Sequence, residues 1–161
     1  MNSSINFDVA FDRLLGHEGG YSNDPNDSGG ETNWGVSKRS YPTVDIKNLT
    51  KDGAKSIYYS DFWAPLGDAH SAVKFQVFDF AVNGGLSTGL RKLQSAIGVA
   101  DDGHWGPFSR SALAAMEVND VLLRFNSERL RFYTSLSKWP NYGKGWTNRV
   151  AANLMFASED N

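Results

Sequence analysis

The side chains best suited to chemistry are concentrated in residues 17–37, HEGGYSNDPNDSGGETNWGVS. This segment holds four carboxylates, Glu18, Asp24, Asp27 and Glu31, with many glycines and few aliphatic side chains. A long polar segment without regular structure, inside a compact domain, is usually functional or disordered. Two carboxyl groups in different environments on either side of a sugar are the groups that glycoside hydrolysis needs. The segment is therefore predicted to be an active-site loop.

The residues before this loop are predicted to form a helix that positions Glu18. Phe7, Phe11 and Leu14 recur at helical spacing and define one apolar face. Continued by four residues, that face reaches Glu18, so we expect Glu18 on the last helical turn, with Gly19-Gly20 ending the helix. Apolar neighbours and the negative end of the helix dipole would both raise its pKa, as a general acid requires. The alternative is a solvated glutamate at a frayed helix end.

Two aspartates compete for the role of second carboxylate. Asp27 follows Glu18 by nine residues and Asp24 by six. Pro25 and Gly29 favour turns, so the loop is expected to fold back and face one of these aspartates toward Glu18 across a cleft. The residues alone leave both candidates open.

Composition and charge limit the classes of function. The chain has 161 residues, 40% of them hydrophobic, no cysteine and a net charge of −2. One globular domain is expected, disulfides and thiolate chemistry are excluded, and nucleic acid is not an expected partner. No signal peptide or membrane-spanning stretch is recognisable, so synthesis and initial retention in the cytoplasm are expected. Residues 118–150 carry six positive groups against two carboxylates; a solvated face is the simpler interpretation, and a surface for an anionic polymer is the alternative.

The rest of the chain is predicted to be helical. The predicted helices are one capped by Thr50, one over residues 71–83, one capped by Ser87 or Thr88 and stopped by Gly98, one starting at Pro107, the longest from Val118 to Leu136, and a short one after Gly145-Trp146, with Trp139-Pro140 as a break. Asp79 falls inside the apolar stretch, where it must be paired, and it either braces the active-site loop or has a purely structural role. The predicted fold class is mainly α, with a small irregular or β-containing acidic region near residues 19–40.

Three groups of residues resemble the family-108 glycoside hydrolases, phage endolysins and related muramidases that cut peptidoglycan. The first is His17-Glu18-Gly19-Gly20-Tyr21 with the following Asn23–Asp27 and Thr32–Gly35. The second, Phe78–Gly85 with Leu93-Gln94 and Asp102–Pro107, resembles a region named a predicted peptidoglycan-binding domain. The third, Gly145–Val150, resembles the family's closing motif.

The resemblance implies a lysozyme-like fold and hydrolysis of the β-1,4 bond between N-acetylmuramic acid and N-acetylglucosamine. It implies Glu18 as the catalytic acid, Asp27 as the base that orients water and Thr32 as a residue that helps to hold this water. Small phage lysozymes typically have a threonine where Asn33 stands here, one position after Thr32. The expected substrate-binding residues are Tyr21, Asp24, Trp34 and Asn83, with Tyr58 and Trp63 as further aromatic candidates for which core packing is the simpler role.

The resemblance also sets expectations for organisation and partners. We expect a single domain over residues 1–161, with a catalytic region over 7–70 and a helical region over 71–155 that resembles the peptidoglycan-binding domain. The expected partners are peptidoglycan glycan strands and, for export, a holin-type pore. We expect a monomer without cofactor that is held in the host cytoplasm and acts in the periplasm.

Three other interpretations compete with this one. Asp24, Asn26, Ser28 and Gly29 match the start of an EF-hand loop, but Gly35 stands where a bidentate glutamate is required. A zinc amidase is disfavoured because the three histidines are scattered and no HExxH motif occurs. The third alternative is a non-catalytic wall-binding or virion structural protein.

Overall fold

The structure, a computed structural model, describes residues 4–16, 20–25 and 29–161. These residues fall into two compact units, one over Phe7–Asp61 and one over Phe62–Asn161 together with residues 4–6. The described residues form seven α-helices: α1 Phe7–Leu15, α2 Lys51–Tyr58, α3 Ser71–Gly84, α4 Leu86–Ala96, α5 Pro107–Ala114, α6 Val118–Ser135 and α7 Trp139–Asp160. They also form a small antiparallel sheet of β1 Tyr21–Ser22, β2 Thr32–Asn33 and β3 Val36–Ser37, in the order β1-β2-β3. The predicted mainly-α class with a small β region is confirmed.

Helix α1 forms where it was predicted but ends one turn early. Its inward residue Phe11 is fully buried and packs against the ring of Tyr58 at a centroid distance of 5.8 Å. The helix stops at Leu15 because Gly16 takes a left-handed conformation (φ 54°) while its N–H still bonds to the carbonyl of Asp12. The prediction that the helix runs on until Gly19-Gly20 ends it is therefore wrong.

The end of the acidic segment is a tight hairpin. Strands β2 and β3 are joined by Trp34 (φ 52°) and Gly35 (φ 79°), the positive pair that a two-residue turn between twisted strands requires. The buried amide of Asn33 holds this hairpin by donating to the carbonyls of Ile46 (3.0 Å) and Leu49 (3.1 Å). The small β region predicted near residues 19–40 is found here.

Helix α2 begins as its sequence predicts. The side chain of Thr50 accepts a hydrogen bond from the Gly53 N–H at 3.0 Å, which satisfies one of the free donors of the first turn. After Tyr58 the chain continues as a π-helical turn over Tyr59–Trp63 and a 3₁₀ turn over Ala64–Leu66.

Helix α3 is the central helix of the unit that follows. Every residue from Ala72 to Ala81 is buried, so the helix is enclosed on all sides rather than amphipathic. Helix α4 begins at Leu86 after Gly85, so the predicted cap by Ser87 or Thr88 is wrong, whereas the predicted stop at Gly98 (φ 75°) is confirmed.

The chain after residue 138 departs most from prediction. Helix α7 runs unbroken from Trp139 to Asp160 and is the longest of the described helices, at 22 residues against 18 for α6. Pro140 lies in the first turn, where no intrahelical N–H is lost. Gly143 is tolerated because a Cβ there would lie 2.7 Å from the ring of Trp139, so the missing side chain makes room for the indole. The predicted break after the helix over Val118–Leu136 is confirmed, since α6 ends at Ser135 and α7 begins at Trp139, but the predicted short final helix after Gly145-Trp146 is wrong.

Candidate active site

The two residues predicted to do the chemistry, Glu18 and Asp27, lie outside the described residues. The facing of Glu18 by an aspartate across a cleft and the raised pKa of Glu18 therefore stay predictions. Asp24, the rival second carboxylate, is described and exposed, in the stretch after β1. The choice between Asp24 and Asp27 also stays a prediction.

Tyr21 is placed at the surface beside the hairpin. It pairs with Asn33 in the β1–β2 ladder, and its hydroxyl donates a 2.7 Å hydrogen bond to Glu31 Oε1. This bond to a carboxylate raises the pKa of Tyr21 because ionisation would set two negative groups against each other. The ring is 44% exposed, so the bond fixes it while leaving apolar surface available for contact.

The side chains of Thr32 and Asn33 differ in their capacity to bind a water molecule. Thr32 is half-buried on β2, and its hydroxyl donates to the carbonyl of Gly30 at 3.2 Å, which leaves its oxygen lone pairs able to accept. The Asn33 amide nitrogen is buried and already donates to backbone carbonyls of the segment before α2. Asn33 is therefore a structural residue of the hairpin, which favours Thr32 for any role with water.

Trp34 occupies a strained backbone conformation. A bulky residue with φ of 52° is uncommon, and such outliers concentrate at sites where surrounding structure enforces them. Its indole N–H donates to the carbonyl of Leu49 at 3.1 Å, so the half-buried ring is held by this hydrogen bond as well as by its position in the turn. By contrast, Tyr58 and Trp63 are 2% and 6% exposed and serve core packing, as the simpler interpretation held.

Asn83 lies on a groove in the second unit. It is exposed at the last turn of α3 and lines a cavity of about 350 Å³. The other lining residues come from the ends of α3 and α6 and from α7 with the residues before it: Phe80, Gly84, Tyr133, Leu136, Lys138, Tyr142, Trp146 and Arg149. We call this cavity the aromatic groove.

Sequence reasoning missed most of the aromatic groove. The Trp146 ring stacks between Tyr133 (5.0 Å, 23° between planes) and Tyr142 (5.7 Å, 22°), and Tyr142 is 55% exposed. Lys138, Tyr142 and Trp146 follow one another at spacings of four, which puts them on one face at the start of a helix. That signal was missed because the final helix was predicted to begin only after Gly145-Trp146.

Asp79 is the centre of a buried charge network in the same unit. Its carboxylate accepts hydrogen bonds from Arg129 Nη2 (2.7 Å), Arg149 Nε and Nη2 (3.1 and 2.8 Å) and Asn153 Nδ2 (2.6 Å). Burial by itself would raise the pKa of Asp79, but the two guanidiniums outweigh it and hold the pKa below its ordinary value.

This network corrects the interpretation of the basic run over residues 118–150. Arg129 is completely buried, and Arg149 is partly buried on the wall of the aromatic groove. These two cations are therefore internal partners of Asp79 and not part of a solvated face. The described partners of Asp79 are on α6 and α7, which favours its structural role.

The motif Asp102–Pro107 forms a turn that is held by hydrogen bonds to the Gln94 and Asp102 side chains. The buried Gln94 amide donates to Asp102 Oδ1 (2.9 Å), the His104 carbonyl (3.0 Å) and Ser109 Oγ (3.1 Å), and its oxygen accepts from the Gly103 N–H (2.8 Å). The His104 N–H also donates to Asp102 and, with Gln94, lowers the pKa of that carboxyl. The polar groups of this motif are thus used to hold the entry to α5.

A second cavity, of about 370 Å³, lies at the other end of α3. It is mainly apolar, with Val73, Leu113 and Val121 among its lining residues and Asp68, His70 and Arg110 as its charged or titratable ones. Val73 and Asn83 are ten residues apart, about 15 Å along the helix, so this cavity and the aromatic groove are separate.

The described residues contain neither a metal-binding cluster nor a membrane-spanning helix. Residues 4–16, 20–25 and 29–161 contain no group of three or more His, Asp or Glu side chains arranged to hold a metal ion. Within the same ranges, none of the helices combines the length and apolarity needed to span a bilayer.

Part of the chain resembles a known family of enzymes. Residues 11–85, from α1 through the acidic segment and the hairpin to the end of α3, match the family described as glycosyl hydrolase 108. The match supports a glycoside hydrolase, and the mainly-α fold with its small sheet is consistent with the predicted lysozyme-like class. The first part of the second motif, Phe78–Gly85, lies within the matched range, whereas its remaining parts and the third motif lie beyond it.

Among solved structures, eleven chains match. One is described as the structure of Brucella abortus SagA, with a TM-score of 0.83 and 29% sequence identity over 94% of this chain and 92% of that chain. The search of curated proteins gave no match.

Proposed function

We propose that this protein hydrolyses the β-1,4 bond between N-acetylmuramic acid and N-acetylglucosamine in peptidoglycan. The observation that carries the proposal is the family match over residues 11–85, because this range contains the whole acidic segment over residues 17–37, including the hairpin at its end. The fold match over nearly the full chain agrees with it.

In this mechanism Glu18 is the general acid that protonates the leaving glycosidic oxygen. Asp27 activates a water molecule or stabilises the oxocarbenium-like transition state, and Asp24 is its rival for this role. Thr32 is proposed to hold this water molecule, because its hydroxyl oxygen can accept a hydrogen bond while its hydroxyl proton is donated to the Gly30 carbonyl.

The proposed substrate contacts use side chains that the fold holds firmly. Tyr21 is tied to Glu31, and Trp34 is tied to Leu49, so each ring would meet a sugar with little loss of rotamer freedom. Asn83 would bind a sugar amide or hydroxyl at the aromatic groove. Asp24 is a further candidate for substrate contact if it is not the second carboxylate.

The proposed biological role is that of a phage endolysin. The protein would be held in the host cytoplasm, cross the inner membrane through a holin-type pore, and act in the periplasm on glycan strands as a monomer without cofactor. Cell lysis would follow from the loss of glycan continuity. The proposed organisation is a single domain, with a catalytic region over 7–70 and a helical region over 71–155 that contributes to wall binding.

The test is muropeptide release from purified sacculi by wild type and by Glu18→Gln. Loss of a general acid should lower the rate by at least about 100-fold with the thermal midpoint unchanged. Glu31→Gln is the matched control, because it neutralises another carboxylate of the segment while keeping an acceptor for Tyr21. Asp27→Asn and Asp24→Asn compared side by side would identify the second carboxylate.

The products decide which bond is cut and whether the protein is an enzyme. New reducing ends on N-acetylmuramic acid support a muramidase, whereas reducing ends on N-acetylglucosamine would contradict it. Binding to sacculi without any soluble product would favour the non-catalytic wall-binding alternative. Undiminished hydrolysis by Glu18→Gln would remove Glu18 from the mechanism.

A further inference from the structure

The aromatic groove has a positive charge that the fold does not neutralise. Lys138 and Arg149 line it, and its described lining includes no carboxylate. Arg149 is held rigidly by Asp79, which also serves Arg129. Lys138 is exposed at the N-cap of α7 and forms no ion pair with any described side chain.

The position of Lys138 is unfavourable for stability. Helix N-termini carry partial positive charge, so a cation there costs about 0.3–1 kcal/mol where an anion or a neutral residue would not. Its side chain makes no capping hydrogen bond that offsets this cost. A residue that opposes the local electrostatics without a structural return is a candidate for function.

The other part of the groove is suited to a sugar ring. Tyr142 stacks one face on Trp146 and is 55% exposed, and the electron-rich face of an aromatic ring attracts the slightly positive C–H bonds of a pyranose. Asn83 adds an amide that can both donate and accept at the rim. A neutral sugar would form no ion pair with Lys138, whereas a sugar with a carboxylate could pair with Lys138 and pack against the aromatic side chains at the same time.

We propose that the aromatic groove binds a pyranose that carries a carboxylate, with Lys138 pairing with the carboxylate while Tyr142, supported from behind by Trp146, packs against the ring. The choice of glycan rests on the proposed function: in peptidoglycan the muramyl residue, and not the glucosaminyl residue, has such a group. Lys138 is thus a specificity-determining residue. The carboxylate is either that of the lactyl ether or that of the attached peptide, and the two can be separated experimentally.

The experiment measures binding of small ligands that contain no glycosidic bond between sugars, so its outcome is independent of hydrolysis. The probes are N-acetylmuramic acid, which has a free lactyl carboxylate, muramyl dipeptide, in which the peptide supplies the carboxylate, and neutral N-acetylglucosamine. Binding to the full-length protein is followed by the NMR shift of the Trp146 indole N–H, assigned with Trp146→Phe. Lys138→Met is compared with Lys144→Met, an exposed lysine on the opposite side of α7.

We expect wild type to bind one or both carboxylate-bearing probes more tightly than N-acetylglucosamine. Lys138→Met should raise the Kd for that probe about fivefold, as expected for one exposed ion pair, while its thermal midpoint stays equal or rises. Lys144→Met should change neither the Kd for that probe nor the thermal midpoint. A Lys138 effect on N-acetylmuramic acid assigns the lactyl group, and an effect on muramyl dipeptide alone assigns the peptide.

Two results would overturn the inference. One is an unchanged Kd for both charged probes in Lys138→Met. The other is an equal loss of affinity for N-acetylglucosamine, which would mean that the lysine does not act through charge. Failure of the muramidase proposal would appear separately, as intact sacculi alongside normal probe binding.

Discussion

Replacing Asp79 by asparagine should remove a large part of the stability of this protein. The substitution keeps the shape of the side chain but removes the negative charge that faces Arg129, which is completely buried, and Arg149, which is partly exposed. Unit charges about 4 Å apart interact by about 4 kcal/mol at the effective dielectric constant of roughly 20 that describes protein sites. Most of the loss should come from Arg129, because water can reach Arg149 and solvate it.

Measured costs of breaking buried ion pairs agree with this figure, at about 3–5 kcal/mol. Arg129 also has an Nη1 atom without a described hydrogen-bond partner, so little is available to take over from the lost carboxylate. Because a domain of this size is stable by about 5–15 kcal/mol, the variant should fold but unfold at a much lower urea concentration.

The assay is urea unfolding followed by far-ultraviolet circular dichroism, with the slope m shared between variants. Asp12→Asn is the matched control: Asp12 pairs with Lys51 at 2.8 Å, but their side chains are 63% and 48% exposed. That change should cost no more than about 1 kcal/mol. If Asp79→Asn were no more costly than Asp12→Asn, the argument that buried charge determines this network would be refuted.

Two further predictions concern pH and the hairpin. Because the folded pKa of Asp79 is held below its unfolded value of about 3.9, its contribution to stability is complete above about pH 5, begins to decrease as the pH falls below the unfolded pKa, and is lost as the pH falls through the folded pKa. The difference in unfolding free energy between wild type and Asp79→Asn should therefore narrow toward about pH 3 in urea titrations; a constant difference would contradict this. Gly35→Ala should lower the thermal midpoint more than Gly16→Ala: both have positive φ, worth about 1–2 kcal/mol, but only at Gly35 would the Cβ meet a described atom, Tyr58 Oη at 2.7 Å. Equal losses would show that the Tyr58 contact adds nothing.

Where the sequence predicted structure correctly, the signal was local. The Thr50 cap, the stop at Gly98 and the start at Pro107 each depend on the conformation of a few neighbouring residues. Such preferences act within one helical turn, so they can be read without knowledge of the rest of the fold.

Where prediction failed, a distant partner decided the outcome. The final helix was predicted to be short and to begin after Gly145-Trp146, but α7 begins at Trp139 and continues through Pro140 and the following glycines, with Trp139 packed against Gly143 and Trp146 stacked on Tyr133. Arg129 follows the apolar stripe of α6 at a position that could equally face solvent, and only Asp79, fifty residues earlier, makes its burial tolerable.

The sequence by itself determined the mainly helical class and the small β-containing region within the acidic segment, because residue types and short spacings are sufficient to specify them. Tertiary structure alone decided that Asn83, Lys138 and Trp146 line one groove. Their proximity results from the packing of α3, α6 and α7, and the energy of that packing depends on contacts between residues far apart in the chain, which no local pattern contains.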